Sequence, residues 1–199
     1  MAVRGVLFDF DGTLTRPGSL DFPRIKKAID CPPDLPILEY LQTLEEARRC
    51  QAMEVLEDLE NQAARRSEPN LDALELLIWL KERKTPFGLV TRNGIQSIRI
   101  ALSHFKPLQA EDFHAIVTRE QARPKPSPEG PLLAAYMLRL HPGSLMFVGD
   151  YRFDIMAGAA ASMITVLLTN GNPDCLLPHD PRPHYRVTRL AELRSLLEG

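Results

Sequence analysis

Val6-Leu7-Phe8-Asp9-Phe10-Asp11-Gly12-Thr13-Leu14-Thr15 runs from an unbroken apolar segment into two carboxylates one residue apart. A glycine and two hydroxyl residues around Leu14 follow. The apolar run is bounded by a turn signal, so Val3 to Phe8 predicts a short buried strand. Residues i and i+2 of a strand point to the same side, which sets Asp9 and Asp11 together at its carboxyl end. Gly12 lets the backbone turn there. Two carboxylates that close repel each other and call for a cation, or for a proton shared between them. A divalent metal is the simpler partner for hard oxygen ligands.

Composition narrows the field around this stretch. The chain has 199 residues, 44% of them hydrophobic, which fits one globular unit with a sizeable core. Its formal net charge of -2 gives no positive field for nucleic acid or an anionic membrane surface. No apolar run is long enough to span a bilayer. Met1-Ala2-Val3-Arg4 leads directly into the strand and leaves no room for a signal peptide, so the expected location is cytoplasmic. Cys31, Cys50 and Cys175 are odd in number and far apart, which points to free thiols rather than a zinc site or a disulfide framework. The five histidines, His104, His114, His141, His179 and His184, lack metal-ligand spacing. Oligomeric state is not legible.

Outward from the first strand, strands and helices alternate. Helices are expected at 71–84 with Asn70 as N-cap, then at 94–105, 128–140, 151–162 and 190–197. Strands are expected at 86–91, 113–118, 144–150 and 163–168. This rhythm predicts a doubly wound, mostly parallel α/β sheet covered on both faces. Residues 16–68 interrupt it. Phe22 to Ile29 reads as a short helix with Pro23 in its first turn. Asp34 to Arg66 is helical in character, either as one helix or as two separated near 47–51. The expected division is therefore a core of residues 1–15 and 69–199 and a helical cap of residues 16–68.

In such a sheet, sites form at the carboxyl ends of the strands, and three further clusters fall at or just beyond such ends. Thr91 closes a strand in Leu89-Val90-Thr91-Arg92-Asn93-Gly94, where a hydroxyl and helix-start amides suit a phosphate. Arg92 adds a permanent charge, available to a substrate anion or to solvent. Lys125 sits in the stiff loop Arg123-Pro124-Lys125-Pro126-Ser127-Pro128, where an ammonium can neutralise a phosphoryl oxygen and offset crowded carboxylates. Gly149-Asp150 ends a strand, and Asp154 follows one helical turn later.

Asp9-Phe10-Asp11-Gly12-Thr13-Leu14-Thr15, Thr91, Lys125-Pro126-Ser127-Pro128 and Gly149-Asp150 with Asp154 together resemble, in order, the four motifs of the haloacid dehalogenase-like superfamily. Phosphoglycolate-phosphatase-like members are the nearest in layout. The resemblance covers about three quarters of the chain, and the helical insertion stands where that superfamily carries its cap.

It implies a Mg²⁺-dependent phosphatase that hydrolyses a small phosphorylated metabolite. Asp9 would be the nucleophile that forms an aspartyl-phosphate, and Asp11 the general acid and base. Asp9, Asp150 and the backbone carbonyl of Asp11 would hold the metal, with Asp154 completing or orienting its shell. Thr91 and Lys125 would bind the phosphoryl group, and Arg92, by its charge beside the site rather than by the resemblance, is the further phosphate-binding candidate. An acid/base aspartate at position 11 favours phosphorus chemistry over carbon–halogen cleavage. A phosphomutase of the same fold, a phosphonate-cleaving enzyme using Lys26 or Lys27, a receiver domain and a catalytically idle partner-binding protein are the alternatives. Arg16, Arg24, Lys26 and Lys27 are available in the insertion for a second anionic group on the substrate.

Overall fold

The computed structural model describes residues 3–198. Met1, Ala2 and Gly199, and with them the outer limits expected for the core, lie outside the described residues. Strand β1 (Gly5–Phe8) is buried along its whole length at the centre of a sheet. It pairs in parallel with β2 (Phe87–Val90) on one side and with β4 (Leu145–Gly149) on the other. β3 (Ala115–Val117), β5 (Ile164–Leu168) and β6 (Tyr185–Val187) complete the order β3-β2-β1-β4-β5-β6, all parallel. The order reverses direction beside β1, the kind of switch point at which doubly wound sheets leave a crevice.

Alternation along β1 explains why its sequence is apolar throughout. Val6 and Phe8 face one layer, built with Leu76, Leu77 and Leu80 of α4 (Ala73–Glu82), Ile98 and Leu102 of α5 (Ile95–Leu102), and Leu193 of the C-terminal helix Leu193–Glu198. Leu7 faces the other layer, with Ala134 and Ala135 of Glu129–Leu138 and Ala157 of Arg152–Ala160. A strand covered on both faces has no polar side to show. Each fully buried Leu or Phe contributes about 1.5–3 kcal/mol relative to exposure.

Between β1 and α4 the chain inserts α1 (Phe22–Ala28), α2 (Ile37–Gln42) and α3 (Glu46–Ala64). They share a separate apolar cluster that includes Ile25, Ile29, Leu38, Leu41 and Leu56. Asp21 caps α1 by accepting the Arg24 amide at 3.0 Å. The two strands of chain entering and leaving this insertion meet side by side. Thr15 bridges Pro69 in antiparallel fashion, and the Arg16 amide donates to the Glu68 carbonyl at 3.0 Å. Helix α3 also lies against α5 of the sheet layer.

Three expectations are corrected. The break in the long helical stretch falls at Thr43–Glu45, where the Thr43 hydroxyl donates back to the Tyr40 carbonyl at 2.7 Å and stops α2. Residues 47–51 are ordinary α3. Asn70 is not the cap of α4. Asp72 holds that position in the left-handed region (φ 65°), and the Asn70 side chain turns inward instead. The sixth strand, Tyr185–Val187, was not expected; it is a short edge strand with two exposed residues. Among the described residues, no helix is long and apolar enough to cross a membrane.

Candidate active site

Register brings the motifs to one rim. Phe8 is abreast of Leu89 on one side and Val148 on the other. The chain steps from these three residues to Asp9, Val90-Thr91 and Gly149-Asp150, so the polar residues emerge side by side. The Asp9 amide donates to the Val148 carbonyl at 2.8 Å, and the Thr91 amide to the Val117 carbonyl at 2.9 Å. All seven sequence-predicted side chains, Asp9, Asp11, Thr91, Arg92, Lys125, Asp150 and Asp154, line a single cavity of about 430 Å³.

The residues divide into two groups inside it. One oxygen each from Asp9, Asp150 and Asp154 can be chosen so that all three lie within 4.8 Å of one another. Buried Lys125 stands against this trio. Its ammonium pairs with Asp9, with Asp154 at 2.6 Å, and with the Val90 carbonyl at 2.9 Å. The Asp11 carboxylate points elsewhere and accepts from Asn93 Nδ2 at 2.6 Å. Its side chain is therefore not one of the clustered oxygens, and the ligand role that the resemblance implies for Asp11 concerns its backbone carbonyl alone.

Close backbone approach makes the cluster possible. A methyl group at Gly12, whose φ is +79°, would fall inside the Asp150 carboxylate, and one at Gly149 would overlap Asp154. The Gly12 carbonyl is pinned from behind by two side-chain amides the sequence reading missed. Asn170 donates to it at 2.8 Å and Asn70 at 3.3 Å, while Asn70 also reaches the Thr13 carbonyl at 2.9 Å. Asn70 signals only a helix cap and Asn170 nothing, since each lies in a loop and reaches the Gly12 carbonyl only through the folded chain.

The electrostatics ask for positive charge. Burial, then the neighbouring Asp9 and Asp154, pushes Asp150 up to about 8. Asp9 is raised to about 6, chiefly by burial and against the pull of Lys125. Burial, Asp9 and Glu60 raise Asp11 to about 7. Burial opposes the Lys125 charge, but Asp154 and Asp9 outweigh it and hold the ammonium above its ordinary range. One lysine thus serves three clustered carboxylates. The hard, all-oxygen donor set, with Asp150 still short of a cation, fits a divalent ion such as Mg²⁺.

A pH dependence of stability follows. A carboxyl group whose folded pKa is raised contributes stability that is complete below its unfolded value and is lost as pH rises through the folded one. For Asp9, Asp11 and Asp150 that window runs from pH 3.8 to about 8. With EDTA present, the protein is expected to unfold at a temperature lower at pH 8 than at pH 5.5, by on the order of 5–10 °C for a few kcal/mol. Mg²⁺ should restore more at pH 8 than at pH 5.5. Differential scanning fluorimetry reads both; equal midpoints at the two pH values would mean the cluster carries no unmet charge.

Arg92 has a different partner from the one expected. Its guanidinium forks onto Glu39 of α2, at 3.0 and 2.6 Å, also bonds the Lys125 carbonyl, and lies over the Phe153 ring. It ties the insertion to the sheet rim. The other cations offered for a second anion are likewise placed otherwise. Exposed Arg16 pairs with Glu68 at 2.9 Å, and Arg24 and Lys27 do not line the cavity. Lys26 lines it, but its ammonium donates to the Pro33 carbonyl. A second link between insertion and rim was not foreseen: Glu60 of α3, buried, takes Arg119 Nη1 at 2.6 and 2.8 Å.

Comparison with known proteins gives the family and the fold. The sequence profile described as haloacid dehalogenase-like hydrolase matches residues 16–168. An uncharacterized hydrolase of Saccharomyces cerevisiae is 30% identical over 200 residues, covering 99% of this chain and 92% of the yeast protein. A hydrolase from Pseudomonas syringae has the same fold, with a TM-score of 0.79 at 21% identity and 98% of each chain covered. A predicted phosphoglycolate phosphatase from Haemophilus somnus superposes with a TM-score of 0.73 at 19% identity, over 98% of this chain and 97% of its own.

Proposed function

Because the chain belongs to the haloacid dehalogenase-like hydrolase family, we propose that it is a Mg²⁺-dependent phosphatase acting on a small phosphate monoester. The observation that carries this reading is the separation of two carboxyl groups within one cavity. Asp9 is held by Lys125, and Asp11 is held by Asn93. Environments that set two carboxyl groups apart assign them different tasks.

Asp9, beside the ammonium, is the nucleophile. Its carboxylate oxygen bonds to phosphorus as the bond from phosphorus to the leaving alcohol breaks. Asp11, raised to about 7, still holds a proton near neutrality and delivers it to the departing oxygen. A water then attacks the aspartyl-phosphate, Asp11 takes its proton back, and phosphate leaves as Asp9 is regenerated. Lys125 and Thr91 face the phosphoryl oxygens, whose equatorial charge must be stabilised. Asp9, Asp150 and Asp154, with the Asp11 carbonyl, would hold Mg²⁺, which when bound neutralises charge shared by substrate and carboxylates. Arg92 holds the α2 end of the insertion through Glu39 in this scheme and does not bind the phosphoryl group.

Phenyl phosphate with Mg²⁺ tests the proposal. Release of inorganic phosphate is expected, and EDTA should suppress it at least about 100-fold, a loss of ~3 kcal/mol in transition-state stabilisation. Absence of phosphate release with Mg²⁺ present would overturn it.

A further inference from the structure

Resting on that phosphatase reading, we infer that the substrate is the phosphate ester of an uncharged, mostly apolar alcohol. The cavity continues past the carboxylates and under the insertion, where its wall changes character. Leu20, Phe22, Ile37, Leu38 and Leu56 come from the insertion, and Phe153 from the helix Arg152–Ala160. These side chains line the same cavity as Lys125, and with the phosphoryl group drawn to that ammonium the rest of the space is left to the alcohol. Apolar walls with a few convergent polar groups are the usual form of a small-molecule site.

Charge in the same space argues against a second anion. Among the described residues three cations line it, two of them paired with carboxylates and the third turned onto a backbone carbonyl. Arg92 is forked by Glu39, Lys26 donates to the Pro33 carbonyl, and Lys125 is shared among Asp9, Asp154 and the Val90 carbonyl. Asp11, Asp34 and Glu60 line the cavity as well. A carboxylate or second phosphate on the alcohol would lose its hydration here and meet acidic neighbours. A methylene chain gains by leaving water.

Methyl, propyl and hexyl phosphate, assayed with Mg²⁺ against hexyl phosphate bearing a terminal carboxylate, test the inference. Their leaving alcohols are nearly equal in basicity, so kcat/KM reads the wall. It should rise up to about fourfold per buried methylene and at least about tenfold from methyl to hexyl. The terminal carboxylate should lower it at least about tenfold. Phe22 is half exposed, at 51%, so Phe22→Lys tolerates its new side chain and places an ammonium on this wall. The hexyl-to-carboxylate preference should then fall at least about fivefold. Turnover that is flat along the series, or that favours the carboxylate, overturns the apolar substrate class while leaving the phosphatase reading intact. An unchanged preference in Phe22→Lys also overturns it. Failure to hydrolyse any ester, phenyl phosphate included, removes both readings together.

Discussion

Asp9→Asn should remove turnover of phenyl phosphate, lowering kcat by at least about 10³-fold, as loss of a catalytic nucleophile does. The amide matches the carboxylate in shape but cannot attack phosphorus. It should not unfold the protein. Lys125 keeps Asp154 at 2.6 Å and the Val90 carbonyl at 2.9 Å, so no buried ammonium is stranded. One of three crowded carboxylates disappears, and with it a charge that burial already disfavours. In EDTA at pH 8 the variant is therefore expected to melt at or above the wild-type temperature. Mg²⁺ should stabilise it less than wild type, because one ligand oxygen has lost its charge. Inactivity with undiminished thermal stability separates a chemical role from a structural one. Wild-type turnover in Asp9→Asn would end the nucleophile assignment.

The rim of the sheet was legible because each of its parts is local. An apolar run ending in Asp-x-Asp-Gly, a hydroxyl after a strand, a lysine between prolines and a Gly-Asp at a strand end each signal themselves within a few residues. Parallel register then does the assembling, since Phe8 opposite both Leu89 and Val148 leaves the following residues no other place to go. What the sequence concealed depends on partners far away in the chain. Glu60 sits among charged residues on a helix, and nothing nearby marks it as buried; its partners, the Gly94 amide and Arg119, lie 34 and 59 positions on. Arg92 read as a ligand for anions because Glu39 lies 53 residues earlier, across the insertion. Asn70 looked like a cap because its spacing before α4 is right, yet its amide is used on the Gly12 loop. The strand Tyr185–Val187 is three residues long after a proline-rich stretch, too short for alternation to show. Local pattern announces elements and motifs, while long-range ion pairs and struts emerge only with the fold.

Arg119→Met is the substitution expected to damage the fold most. It leaves Glu60, 4% exposed, without its cation, and burial already raises that carboxyl group against the pull of Arg119. Breaking one side of a buried ion pair costs about 3–5 kcal/mol. For a chain of this size that corresponds to roughly 6–20 °C in melting temperature. The deficit should shrink at pH 5 relative to pH 8. A carboxyl whose folded pKa is raised still further keeps its stability below the unfolded value and loses it as pH climbs. Replacing both partners, as Glu60→Leu with Arg119→Met, should recover most of the loss, because no charge then remains to be desolvated. A single variant as stable as wild type, or a double variant no better than the single, would mean that Glu60 is hydrated after all. The double variant also reaches the chemistry. Glu60 is one of the charges that keep the proton on Asp11. Its removal should lower the Asp11 pKa, so the alkaline limb of kcat/KM for phenyl phosphate should move to lower pH. The same buried glutamate would then both anchor the helical insertion to the sheet and set the pH range over which the acid beneath it can work.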